Sequence, residues 1–98
     1  MTVKSKTRLN AWINNELREC TLRYFNTNFC TATFDNDEEI AIWFKDGYWN
    51  IEFFIESTMV YSAKIIAYAQ ELKTEHVLKL IQTTYEMANY GEVNFDYA

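Results

Sequence analysis

Residues 40–55 read Ile40-Ala41-Ile42-Trp43-Phe44-Lys45-Asp46-Gly47-Tyr48-Trp49-Asn50-Ile51-Glu52-Phe53-Phe54-Ile55. Two runs of β-branched and aromatic residues flank one Asp-Gly pair. Asp-Gly between extended runs favours a two-residue type I′ turn, whose twist matches that of the strands it joins. The turn pairs Lys45 with Tyr48. Phe44 then faces Trp49, Ile42 faces Ile51, and Ile40 faces Phe53. All six lie on one sheet face, joined by Ile55. A slip of one residue would turn the whole set to the other face, so turn chemistry and hydrophobic alternation support each other. The opposite face carries Glu39, Ala41, Trp43, Lys45, Tyr48, Asn50, Glu52 and Phe54.

Working back toward the N-terminus, polar clusters at Asn26-Thr27-Asn28 and Asp35-Asn36-Asp37 break further extended runs. They predict strands over about 20–25 and 29–35, ahead of those at 39–45 and 48–56. In this register Cys20 lies opposite Phe34 and Cys30 opposite Tyr24, which keeps the two thiols too far apart to bridge. Before residue 20 the period changes. Leu9, Trp12, Ile13, Leu17 and Cys20 recur at three- and four-residue spacing, which predicts an N-terminal helix capped by Ser5 or Thr7. Beyond Ser57 the same period predicts a helix to about Leu72, apolar around much of its circumference. A second follows over 75–90, capped by Thr74, with Val77, Leu78, Ile81, Tyr85 and Ala88 as its buried stripe. Gly91 is expected to end it. The tail Glu92–Tyr97 alternates and can add an edge strand. The expected fold is α+β: an N-terminal helix, a four-stranded antiparallel β-meander, two C-terminal helices and a short extended tail. At 98 residues it is expected to form one domain, residues 1–98.

Composition narrows the chemistry. Pro is absent and Gly occurs twice, so a Gly-rich phosphate loop and a proline-rich linker are excluded. No apolar run approaches the ~18 residues of a membrane span. The basic N-terminus has no apolar segment behind it, so no secretory signal is expected. Cys20 and Cys30 match no zinc, haem or thioredoxin spacing, and free thiols in a reducing cytoplasm are expected. His76 is the sole imidazole, so no Ser-His or Cys-His nucleophile pair is evident. Asp35, Asp37, Glu38 and Glu39 lack the Gly and distal Glu of an EF-hand. Their place at a hairpin tip is a solvated one. No enzyme, no cofactor and no metal are expected.

Charge is uneven. The chain carries 14 acids against 9 bases. Residues 1–23 hold five bases and two acids; residues 24–98 hold four bases and twelve acids. An acidic body repels phosphates, so no direct nucleic-acid binding is expected. Trp43, Tyr48 and Phe54 could stack bases, but Lys45 is the only base among the positions assigned to that face. Small size, acidity and AT-rich residue usage point instead to a binding protein. Carboxylates along strands and turns would stand where phosphates sit and fill the basic groove of a protein partner such as a nuclease. The concrete expectation is a phage or mobile-element inhibitor of the anti-CRISPR or antirestriction kind, acting in the host cytoplasm. The candidate partner-binding residues are Asp35, Asp37, Glu38, Glu39, Asp46, Glu52 and Glu56, with Trp43, Tyr48 and Phe54. The alternative is an assembly module that forms a homodimer or larger oligomer through its aromatic and apolar surface.

Overall fold

The computed structural model describes residues 2–67 and 71–96. Within them lie seven strands and one helix: β1 (Ser5–Ile13), β2 (Glu16–Asn26), β3 (Phe29–Phe34), β4 (Glu38–Lys45), β5 (Tyr48–Ile55), β6 (Thr58–Ile66), α1 (Thr74–Met87) and β7 (Val93–Asp96). All seven strands join one antiparallel sheet in the order β6-β5-β4-β3-β2-β1-β7. The helix packs on one face and buries Val77, Leu78, Leu80, Ile81 and Tyr85.

The central hairpin has the register its sequence specifies: Lys45 opposite Tyr48, Phe44 opposite Trp49, Ile42 opposite Ile51 and Ile40 opposite Phe53. Asp46 (φ 55°) and Gly47 (φ 83°) both take the positive φ that a type I′ turn requires. Cys20 lies opposite Phe34 and Tyr24 opposite Cys30, and both cysteines are free and buried.

The architecture around this hairpin corrects the expected α+β fold. Two of its three helices are strands. Residues 5–26, expected to begin with a helix, form the hairpin β1–β2. Its turn is Asn14 (φ 50°) and Asn15 (φ 67°), a residue type that tolerates the left-handed region; the Asn14 side-chain oxygen accepts from the Glu92 amide at 3.1 Å. Leu9, Ala11 and Ile13 face the core, and Leu9 lies directly opposite Cys20. Trp12 and Leu17 also pair, but on the outer face, where they are 39% and 52% exposed. The helical spacing of these residues arises from a cross-strand pairing.

The expected helix over 57–72 is β6 in its first part, and residues 68–70 lie outside the described residues. Ser57 does not cap a helix. With Glu56 it forms the β5–β6 turn, at φ 48° and 68°. Tyr61, Ala63 and Ile65 pair with the core residues Phe53, Ile51 and Trp49, which accounts for one apolar side of this segment. Thr74 opens α1, but its N-cap is Lys73 and no side chain caps it. The Thr74 hydroxyl bonds that of Tyr24 instead, at 2.9 Å. Gly91 is not the residue that ends the helix. Ala88 is the C-cap, and Asn89 (φ 56°) supplies the left-handed step beyond it. Gly91 matters elsewhere: a Cβ there would come within 2.3 Å of the Asn14 side chain. The tail does add an edge strand, β7, on β1.

Candidate functional site

In an antiparallel meander alternate turns fall at the same end of the sheet. The β1–β2, β3–β4 and β5–β6 turns therefore share one end. Helix α1 runs toward the same end, since Thr74 bonds Tyr24 of β2 while Tyr85 and Tyr90 bond Glu38 at the start of β4. These turns and the residues flanking them carry many acids. Glu16, Asp35, Asp37, Glu38, Glu39, Glu56, Glu86 and Glu92 are gathered there. Among the described residues the base at this end is Arg18, 2.8 Å from Glu16 and 3.9 Å from Asp35. The negative end of the α1 dipole adds to them, and no basic residue in the last turn offsets it.

Between the β3–β4 and β5–β6 turns lies an open hollow of about 780 Å³. Asp37, Glu38, Glu39 and Glu56 line it with Phe34 and Phe54. Asp37 and Glu56 are tied through the backbone, the Glu56 amide donating to the Asp37 carbonyl at 3.0 Å. Asp35, outside the hollow's lining, accepts from the Glu19 amide at 3.2 Å, which holds its carboxylate toward β2 and Arg18.

Glu38 departs from the solvated hairpin tip expected for it. It is 4% exposed, on the same strand face as Ile40 and Ile42. Both Tyr85 and Tyr90 donate their hydroxyls to its carboxyl group, the latter at 2.7 Å, and the Asn36 amide donates at 2.9 Å. Tyr85 is wholly buried against Phe34 and Phe53. Burial, followed by its bond to Glu38, pushes the Tyr85 phenol well above the usual tyrosine range. The bond to Glu38, followed by burial, raises Tyr90 as well. Glu38 is thus an anchor that ties the end of α1 to the sheet beneath the hollow, and it is not presented to solvent.

The structure brings together Asp35, Asp37, Glu39, Glu56 and Phe54, with Glu38 beneath them. It does not bring Asp46 there. Asp46 sits at the other end of β4, about 25 Å away at ~3.3 Å per residue. Glu52, Trp43 and Tyr48 lie on the outer sheet face, away from α1. No helix covers that face among the described residues: Tyr48 is 40% exposed, and Trp43 and Phe54 are half-buried. Sequence reasoning missed Glu16, Arg18, Glu86 and Glu92 as neighbours of the acidic turns. The Asn14-Asn15 pair was the signal, because a turn there puts Glu16 and Arg18 at that end.

Cys20 and Cys30 are pushed up to about 12 by burial, so both are neutral thiols near pH 7 and poor nucleophiles. Among the described residues no group of three His, Cys, Asp or Glu side chains is placed to hold a metal ion. No helix there is long and apolar enough to cross a membrane. The arrangement attracts cations, and the hollow has room for a guanidinium or ammonium group between carboxylates. No protein-family model matches the chain, and no curated protein or solved structure matches it.

Proposed function

We propose that this chain is a non-enzymatic inhibitor whose acidic end occupies the basic, nucleic-acid-binding groove of a partner protein. One observation carries the reading: among the described residues, three turns and a helix C-terminus bring eight acidic residues to one end, with a single arginine among them. Like charges gathered beside the negative end of a helix dipole lower stability. Such a cluster is accounted for by a partner that neutralises it. Cationic side chains of that partner would sit between Asp37, Glu39 and Glu56, where phosphates would otherwise lie. Electrostatic steering would speed the encounter and make it salt-sensitive. The site of action is the cytoplasm of a host cell, in keeping with two unpaired cysteines, and the class is that of phage or mobile-element anti-CRISPR and antirestriction proteins.

The test is inhibition of restriction and RNA-guided nucleases in vitro, with wild-type protein and the variant Asp35→Asn/Asp37→Asn/Glu39→Gln/Glu56→Gln. Wild type should inhibit at least one nuclease, and excess non-specific duplex DNA should relieve the inhibition. The variant should bind tens-fold more weakly, with a flatter salt dependence. A nuclease held as tightly by the variant, with an unchanged salt slope, would rule the acidic end out.

A further inference from the structure

With β1–β2 a hairpin of the main sheet, the surface around Trp43 is more basic than residues 39–54 alone imply. In the register observed, Lys6 pairs with Arg23, Arg23 with Thr31, Thr31 with Ala41, and Ala41 with Glu52. These positions all point away from α1. The outer face thus gains Lys6 and Arg8 from β1, Arg23 from β2 and Lys64 from β6, beside Lys45. Five of the chain's nine bases lie on this one face, in a molecule of net charge −5. None of the five is in an ion pair among the described residues. Among the described residues four acids share the face: Glu52 lies beside Trp43, while Glu19, Glu39 and Asp96 lie toward the acidic end. The field across the sheet therefore turns from negative there to positive at the far end.

Beside these bases lies a row of rings on three adjacent strands. Trp43 is directly opposite Phe29, and Phe29 stacks on Phe25 with centroids 4.8 Å apart and planes 24° apart. Trp43 stands between two hollows of about 460 and 390 Å³. Asn28 and Phe29 line the first, Asn50 and Lys64 the second, and Glu52 reaches both. Flat rings at strand spacing, amides and a carboxyl group beside them, and bases around the rim suit one kind of ligand. Its phosphates meet Lys6, Arg23 and Lys64, its bases stack on the rings, and base edges meet Asn28, Asn50 and Glu52.

We propose that the outer face of β2–β4 binds single-stranded nucleic acid, with Trp43, Phe29 and Phe25 as its stacking platform. A duplex keeps its base faces covered and offers the rings nothing. The acidic hollow borders this face through Glu39 and Phe54, but the rings and bases proposed here are other residues, so the two assignments are tested by different variants.

The test is fluorescence anisotropy at low salt with labelled oligothymidylate and oligouridylate of about 12 nucleotides, which separate DNA from RNA, and with a duplex of equal length. The single strands should bind in preference to the duplex. Trp43→Ala should weaken binding about tenfold or more. Trp43→Phe should keep most of the affinity while losing the tryptophan quenching that accompanies binding. Lys6→Glu with Arg23→Gln should weaken binding and reduce its salt slope. Thermal melts confirm that each variant is folded. The proposal fails if neither oligonucleotide binds at about 100 µM protein, the weak limit of the usual range for non-specific binding. It fails also if the duplex binds as well as the single strands, or if the Trp43→Ala and Lys6→Glu/Arg23→Gln variants bind like wild type. A wild-type dimer that Trp43→Ala dissociates, without oligonucleotide binding, would assign the face to a second copy of the chain.

Discussion

Glu38 illustrates how one position can serve the core while its neighbours serve the surface. Strand alternation puts it on the same face as Ile40, and the Tyr85 and Tyr90 hydroxyls meet it there. A buried hydroxyl left without its acceptor costs ~1–3 kcal/mol. Glu38→Ala should therefore lower stability by about 3 kcal/mol, and Tyr90→Phe by less than Tyr85→Phe, because Tyr90 is 39% exposed and Tyr85 is buried. Urea titrations read these values directly. A Glu38→Ala protein as stable as wild type would show that the tyrosines do not depend on it. The cysteines make a second residue-level prediction. Burial raises both thiols from 9.0 to about 12 in the folded chain. A thiol held above its unfolded value stabilises the fold below that value, and the gain is lost as pH rises through the folded one. Stability should fall between pH 9 and 12, by at most about 1.4 kcal/mol per pH unit for each thiol. Tyr85 is raised by burial and adds in the same direction. Urea midpoints against pH should show a shallower alkaline loss for Cys20→Ala/Cys30→Ala, whatever its stability at neutral pH.

At the scale of elements, the turns decide the fold. Three two-residue turns have both central residues at positive φ: Asn14-Asn15, Asp46-Gly47 and Glu56-Ser57. The second was legible because Gly is at home there and Asp tolerates it. Asn14-Asn15 carries a related signal, outweighed by the apolar spacing of Leu9, Trp12, Ile13 and Leu17. Glu56-Ser57 carries almost none, since neither residue favours that region. Replacing Glu56 by Asn and Ser57 by Gly should therefore stabilise the hairpin by about 1 kcal/mol. Gly47→Val should cost about 1–3 kcal/mol. A Cβ at Gly47 meets nothing within 4 Å, so that cost is backbone strain alone. Thermal midpoints of the two variants should move in opposite directions. An unchanged midpoint in either would mean that its turn does not hold the conformation described.

For the whole molecule, the meander distributes charge. Turns that are distant in sequence become neighbours, and their carboxylates repel one another beside the end of α1. Neutralising Asp35, Asp37, Glu39 and Glu56 to Asn or Gln should leave the thermal midpoint unchanged or raise it. The gain should be on the order of 1 kcal/mol at low salt and vanish at high salt. A lower midpoint would instead mean that these carboxylates hold the turns together. Only this scale shows the outer face for what it carries, because Lys6, Arg23, Trp43 and Lys64 come from four different strands.

The sequence by itself determined the central hairpin, its register and that of β2 on β3, the approximate extent of α1 and the edge strand at the tail. In the hairpins the turn and the alternation lie within a short stretch and agree. In α1 the backbone bonds are local, so its periodicity speaks for the segment alone. Only the tertiary structure decided that residues 5–13 and 58–66 are strands. A strand's hydrogen bonds belong to its neighbours. For β1 these include β7, more than 80 residues away, where Asn10 pairs with Asp96. Apolar residues three and four apart fit a helix stripe as well as a pair of facing strands until the partner is known. The burial of Glu38, the gathering of acids at one end and the meeting of five bases on the outer face all follow from that pairing, because which side chains become neighbours is a property of the assembled sheet.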